Sequence, residues 1–199
     1  MDKTFIILRG APGSGKSTYV KNLGVEDAVV SSDEWRLRMF GIEKSEGGTE
    51  YIPQRHQDKV WANVRAGLTE RMERGDELVI LDSCARRTQD MQAYESLIHD
   101  YGYDACVVDF HSEVTREECH RRNESREQYK IVPEFVIERD YLTYEDEAIP
   151  SVYKVFTPAE GAAMLKDAMQ SKHQDAYSKA ESQCVGDKTI SLEEDYSLD

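Results

Sequence analysis

Short apolar runs alternate along the chain with stretches in which apolar residues recur every third or fourth position. This alternation predicts an α/β fold, a parallel sheet of about five strands flanked by helices. The expected strands are Thr4–Leu8, Ala28–Ser31, Leu78–Leu81, Ala105–Phe110 and Val152–Phe156. Between them, Val60, Val64, Leu68 and Met72 repeat at every fourth residue, and Tyr94, Leu97, Ile98 and Tyr101 at three and four. Both segments read as helices with a core-facing stripe. Thr157-Pro158-Ala159-Glu160 has the form of a capping box with proline at the first helical position, predicting a last helix through Met164, Leu165 and Met169. Gly41 to Ile52, carrying Gly47-Gly48, reads as a loop. From Ser171 onward apolar residues thin out and acidic ones gather near Glu193-Glu194-Asp195. One domain over 1–170 and an acidic, mobile tail over 171–199 are therefore expected.

Composition narrows the setting. The 199 residues are 39% hydrophobic, and no apolar stretch approaches the roughly 20 residues that span a bilayer. The N-terminus, with one lysine and a short strand-like run, does not read as a signal peptide. Cys84, Cys106, Cys119 and Cys184 lack C-x-x-C spacing, which argues against a zinc site or a disulfide framework and for a reducing cytoplasm. The net charge of −14 is unlike that of a protein gripping long nucleic acid by its phosphates. Positive charge is local instead: Arg36 and Arg38, then Arg86-Arg87, then Arg116, Arg121, Arg122, Arg126 and Lys130. Such acidity favours a chain end or a small acceptor over extended duplex.

The strongest chemical signal directly follows the first apolar run. Gly10-Ala11-Pro12-Gly13-Ser14-Gly15-Lys16-Ser17-Thr18 is a complete G-x-x-x-x-G-K-[ST] phosphate loop between a strand and a helix. Its glycines permit the tight path that turns backbone N–H groups onto a bound anion at a helix N-terminus. Lys16 supplies charge for the β- and γ-phosphates, and the Ser17 hydroxyl can ligate Mg²⁺.

In a parallel sheet, ligands bind beyond the carboxyl ends of the strands, where three further motifs fall. Asp33-Glu34-Trp35-Arg36 follows the second strand. Asp33 there is placed to accept the proton of an acceptor hydroxyl, or to cap the helix, and Arg36 one turn later points the same way. Leu78-Val79-Ile80-Leu81-Asp82 is a strand ending in a carboxylate, the Walker B pattern, suited to hold Mg²⁺ through water or to orient Arg36. Ser83 and Cys84 next to it can line an acceptor pocket, Cys84 equally being a small buried filler. Arg121-Arg122-Asn123-Glu124-Ser125-Arg126, before Pro133 starts another helix, offers arginines on a closing segment. These stabilise charge spread over the equatorial oxygens in phosphoryl transfer, or belong to a solvated face. His111 and His120 read as surface or strand-end residues.

Gly10 to Thr18, Asp33-x-x-Arg36, Asp82 and the Arg122-Asn123…Arg126…Val132-Pro133 lid, in this order and spacing, resemble the phage-type 5′-hydroxyl polynucleotide kinases over residues 4–156. The resemblance implies a P-loop kinase fold with an arginine-bearing lid, ATP as donor and Mg²⁺ as cofactor. It implies Lys16 and Ser17 on nucleotide and metal, Asp33 as general base, Arg36 on an acceptor phosphate, and Arg122 and Arg126 on the donor phosphates. Family members often continue the strand-end Asp with Thr-Asn, where this chain has Ser83-Cys84. They also often carry a phosphatase domain, and a kinase-only chain is expected here. The resulting expectation is an ATP-dependent kinase with Asp33, Lys16 and Arg126 catalytic, and Arg36, Asp82 and Ser83 on the acceptor side. Its acceptor is a 5′-OH end of DNA or RNA in a bacterial or phage-infected cell. The same branch contains kinases of small metabolites and of modified bases in phage DNA, which remain alternatives, with a non-catalytic NTP switch behind them. Oligomeric state is not legible.

Overall fold

A computed structural model describes residues 3–170, and the expected tail over 171–199 lies outside the described residues. Packing divides the chain into one compact unit of residues 2–161 and a second beginning at Ala162. The first unit runs β1 (Thr4–Arg9), α1 (Lys16–Leu23), β2 (Val29–Ser31), α2 (Ser32–Phe40), β3 (Glu43–Lys44), β4 (Glu50–Tyr51), α3 (Gln57–Arg74) and β5 (Leu78–Asp82). It continues through α4 (Thr88–Gln92), α5 (Glu95–Tyr101), β6 (Asp104–Asp109), α6 (Arg116–Glu124), α7 (Glu134–Asp146) and β7 (Lys154–Phe156). The described part of the second unit, 162–170, is helical.

The expected strands assemble into one parallel five-stranded sheet of order β2-β5-β1-β6-β7. All six residues of β1 are buried, as the central position in a sheet covered on both faces requires. Phe5 and Ile7 of β1, Val79 and Leu81 of β5, and Val107 of β6 join the α3 stripe of Val60, Val64, Leu68 and Met72 in one core cluster. That stripe is buried over its whole length. Register then sets the site: Leu8 lies opposite Asp82 and Val108, and Asp82 opposite Ser31. The strand ends that feed the phosphate loop, the Asp82 carboxylate and α2 are thereby level with one another.

Two sequence expectations change. Gly41 to Ile52 is not all loop, because Glu43–Lys44 pairs antiparallel with Glu50–Tyr51. Two-residue strands are too short to carry a hydrophobic period, and the turn is held by Ser45, whose carbonyl accepts from Gly48 N at 2.9 Å and whose Oγ accepts from Thr49 N at 3.1 Å. The Tyr94–Tyr101 stripe is helical only from Glu95, and Tyr94 sits at the junction of α4 and α5. Arg65 reaches across from α3 to bond the Ala93 carbonyl at 2.5 Å and Ser96 Oγ at 3.2 Å, so a side chain of α3 spans the break at the surface. The capping box forms as expected: Glu160 N donates to Thr157 Oγ1 at 3.2 Å and Thr157 N to Glu160 Oε2 at 2.9 Å, and helix follows from 158.

Candidate active site

The phosphate loop is shaped by backbone more than by side chains. Gly13 and Gly15 hold φ of 85° and 104°, in the left-handed region that side chains disfavour. A Cβ at Gly13 would stand 2.4 Å from the Cys119 carbonyl oxygen, so the loop is seated directly on α6. Ala11 joins Cys119, Ile137, Tyr141 and Tyr144 in a small core that fastens α6 and α7 to the loop. Gly15 precedes α1 without any side-chain cap, leaving first-turn N–H groups to serve an anion. Lys16 Nζ donates to the carbonyls of Gly10 at 2.6 Å and Ala11 at 3.2 Å, and to Ser14 Oγ at 3.5 Å. Ser14 is buried under the loop, while Ser17 and Thr18 are exposed on α1.

Ser17 Oγ donates to Asp82 Oδ2 at 3.5 Å, which joins the two residues expected to share a metal. Burial pushes the Asp82 carboxyl up from its ordinary range, with Lys16 opposing that shift and Asp33 adding to it. Asp82 therefore lies within electrostatic reach of Lys16, Ser17 and Asp33. Ser83 is buried just beyond. Cys84 is held as a thiol, pushed up to about 11 by burial. Its carbonyl accepts from Gly10 N at 3.3 Å and from Tyr144 Oη at 2.7 Å, tying the loop to α7.

On α2 the capping role belongs to Ser31, whose Oγ accepts from Glu34 N at 3.4 Å. Asp33 is thus relieved of capping; its side chain is 68% exposed and accepts from Arg36 Nη1 at 2.7 Å. Arg36 is buried and also donates to Ser32 Oγ at 3.2 Å and Gln57 Oε1 at 2.8 Å. Its Nε is buried without a partner. The option that Asp82 orients Arg36 is corrected by this arrangement. Asp82 is engaged with Ser17, and Arg36 leans instead toward α3, where Gln57 meets it.

The lid arginines occupy different environments. Arg122 donates through Nε to Glu118 Oε1 at 2.6 Å and through Nη1 to the Ser14 carbonyl at 3.2 Å, so it already touches the phosphate loop. Arg121 and Arg122 together pull the Glu118 carboxyl down to about 2. Half-buried Arg126 has no hydrogen bond or ion pair from its side chain to any described residue. Asn123 closes the base of the lid: its Nδ2 donates to the Val132 carbonyl at 2.8 Å, and its Oδ1 accepts from Val132 N at 3.1 Å. The loop so closed touches β4 through the turn Gln128–Lys130.

A family model described as an AAA domain matches residues 5–147. The chain belongs to that family. Among solved structures, the AAA domain is similar to a chain of the Pnkp1/Rnl/Hen1 RNA repair complex, at 25% identity and a TM-score of 0.55, over 73% of this chain and 45% of that one. It thus spans less than half of that chain's length. It also shares its fold with a candidate kinase from Chloroflexus aurantiacus, at 15% identity and a TM-score of 0.59, over 86% of this chain and 98% of that one. A third likeness in fold is to the AvrRxo1-ORF1:-ORF2 complex with ATP, at 18% identity and a TM-score of 0.55, over 78% and 55% of the two chains. No curated protein matches the sequence. Family and fold together make this a P-loop kinase-like domain.

Sequence reasoning missed several supports of the AAA domain's site. Gln57 opens α3 and carries no motif of its own. Arg9 and Asp109 pair in the interior at 3.0 Å, with Arg9 Nη2 reaching the Tyr144 and Glu147 carbonyls at 3.3 Å each, which straps the end of β1 to the end of α7. An Arg–Asp pair spaced across the chain leaves no local signal. His111 lies between Tyr141 and Tyr144, with ring centroids 4.8 and 5.0 Å away. Among the described residues, no group of three or more His, Cys, Asp or Glu side chains could hold a metal by itself, and no helix is long and apolar enough to cross a membrane.

Proposed function

We propose that this AAA domain is an ATP- and Mg²⁺-dependent cytoplasmic kinase that transfers the γ-phosphoryl group to the 5′-hydroxyl end of DNA or RNA. The observation that carries the reading is the Asp33–Arg36 couple, an exposed carboxylate held at 2.7 Å by a buried guanidinium beside the phosphate loop. The acceptor hydroxyl gives its proton to Asp33 as its oxygen bonds to the γ-phosphorus. The bond from that phosphorus to the β–γ bridging oxygen breaks, and ADP leaves. Arg36 orients the base through their 2.7 Å contact, and presents positive charge to a phosphate of the acceptor.

Gly10 to Thr18 bind the donor phosphates through backbone N–H groups. Lys16 exchanges its loop carbonyls for phosphate oxygens, and Arg122 and Arg126 close on the donor from the lid. Ser17 and Asp82 are the residues that would hold Mg²⁺, directly and through water, and their hard oxygen donors suit it. When bound, the ion neutralises charge on the β- and γ-oxygens. Similarity to a chain of an RNA repair complex supports a nucleic-acid end as acceptor. The net charge of −14 favours, as second reading, a small hydroxyl acceptor. Incubation with γ-labelled ATP and 5′-OH oligonucleotides, nucleosides and sugars decides. Label on the oligonucleotide end is expected, and label on a sugar or nucleoside alone would replace this reading by the second.

A further inference from the structure

The chain has two tryptophans, and they are used differently. Trp35 on α2 packs against the main core, whereas Trp61 on α3 is 38% exposed and is not part of that core. An exposed apolar residue alone needs no explanation. The position of Trp61 does. It lies four residues after Gln57, hence on the same face of α3 one turn further on, and Gln57 is the residue that holds Arg36 from that helix. The Arg36 guanidinium carbon is 6.0 Å from the centre of the Trp61 ring. One guanidinium therefore bonds the candidate base and also lies over a partly exposed indole. Helix packing does not require an indole here, because the neighbouring contacts of α3 with the core run through Val60 and Val64.

Resting on the reading of a 5′-hydroxyl nucleic-acid acceptor, we infer that Trp61 is the stacking platform for the base of the acceptor's terminal nucleotide. The acceptor unit is then a nucleoside bearing a 3′-phosphate: its base lies on Trp61, its phosphate faces Arg36 and its 5′-hydroxyl faces Asp33. Stacking on an indole is indifferent to base identity, because every base has a π-face. Such an end is selected by having a base and not by sequence. Stacking also supplies affinity without extended phosphate contacts, which suits so acidic a chain. Trp61 is a positioning residue; it touches no reacting atom.

The test pairs kinetics with binding. Wild type, Trp61→Phe and Trp61→Ala are assayed with γ-labelled ATP on a nucleoside 3′-phosphate and on its abasic counterpart, which keeps the 5′-hydroxyl and 3′-phosphate. Trp61→Ala is expected to raise KM for the base-bearing acceptor about 5- to 150-fold, to leave kcat within about twofold, and to leave the abasic acceptor unaffected; Trp61→Phe retains most of the affinity. In parallel, the nucleoside 3′-phosphate should quench indole emission of the wild type, and the quench should vanish in Trp61→Phe. Transfer that Trp61→Ala does not alter, or weakens equally on both acceptors, overturns the stacking assignment and leaves the kinase reading standing. Quenching by the nucleotide with no transfer to it supports stacking and overturns the reading of a 5′-hydroxyl nucleic-acid acceptor. Neither quenching nor transfer overturns both.

Discussion

The two halves of the site are built from different materials. The donor half is backbone: Gly13 and Gly15 in left-handed conformations, an uncapped helix start, and a loop seated against the Cys119 carbonyl and clipped to Cys84. The acceptor half and the lid are side chain: Asp33 held by Arg36, Arg36 held by Gln57, and Val132 held by Asn123. A backbone cradle has few degrees of freedom and needs small residues at fixed spacing, so its sequence pattern is tight. A side-chain lattice can be assembled from many residue pairs, so it can be changed to fit another acceptor while the donor site is kept. Substitutions should accordingly behave differently in the two halves: acting on transfer to the acceptor in one, and on ATP binding alike for every acceptor in the other.

The largest effect is expected in the acceptor half, at its reacting group. Asp33→Asn should lower turnover about 10²- to 10⁴-fold, some 3–5 kcal/mol of barrier, with little change in ATP affinity. Because Ser31 and not Asp33 caps α2, the melting temperature should stay nearly constant. A variant that loses stability and keeps its turnover would remove Asp33 from the reaction.

Next comes the donor half, through its backbone. Gly13→Ala meets both a φ of 85° and a contact of 2.4 Å with a carbonyl oxygen that cannot swing away. The strain alone is about 1–3 kcal/mol, and relief requires the loop or α6 to move. ATP binding measured by calorimetry should fall at least tenfold for every acceptor alike. Retained affinity would mean that the seat on α6 is not needed for nucleotide.

A smaller effect separates lid from cradle. Asn123→Ala removes two hydrogen bonds from the base of the lid and leaves Val132 N–H and C=O unpaired, about 1–3 kcal/mol in all. Arg126, three residues further on and with its side chain unpartnered among the described residues, should then engage the transition state less well. Lowered kcat with ATP affinity changed less than about threefold is the expected pattern. Equal losses in both would place Asn123 with the cradle.

These contrasts explain what was legible from the sequence. The strands, the α3 stripe and the phosphate loop announce themselves because burial and tight turns impose period and composition on contiguous residues. Asp33-x-x-Arg36 was visible because both residues sit one turn apart on the same helix. Gln57, Asn123 and the Arg9–Asp109 strap were not, since each gains meaning from a partner brought close only by the fold. The β3–β4 hairpin failed for a different reason: two-residue strands are below the length at which alternation can be recognised. The break before Tyr94 was hidden because its stripe continues across the junction, with Tyr94 still buried.

The smallest expected effect concerns stability at the seam where α7 meets the end of β6. His111 is packed between Tyr141 and Tyr144, its Nδ1 is buried without a partner, and burial lowers its pKa below the ordinary 6.5. Asp109 opposes that shift, while Arg9 adds to it. With the folded pKa below the unfolded one, the unfolded chain takes up the proton first as pH falls. The fold therefore loses stability on acidification through about 6.5, and the loss ends once the folded imidazole is protonated as well. Above about pH 7 the group is neutral in both states and contributes no slope. Carboxylates held low, such as Glu118, lose their native advantage only at more acidic pH, since the unfolded carboxyl protonates near 4.5. Melting curves between pH 7.5 and 5.5 should then show a decline in the wild type that is shallower in His111→Phe, whose ring can fill the same space without titrating, each interval being read at about the same salt. A decline of the same steepness in both proteins would assign the acid sensitivity elsewhere and leave His111 a packing residue alone.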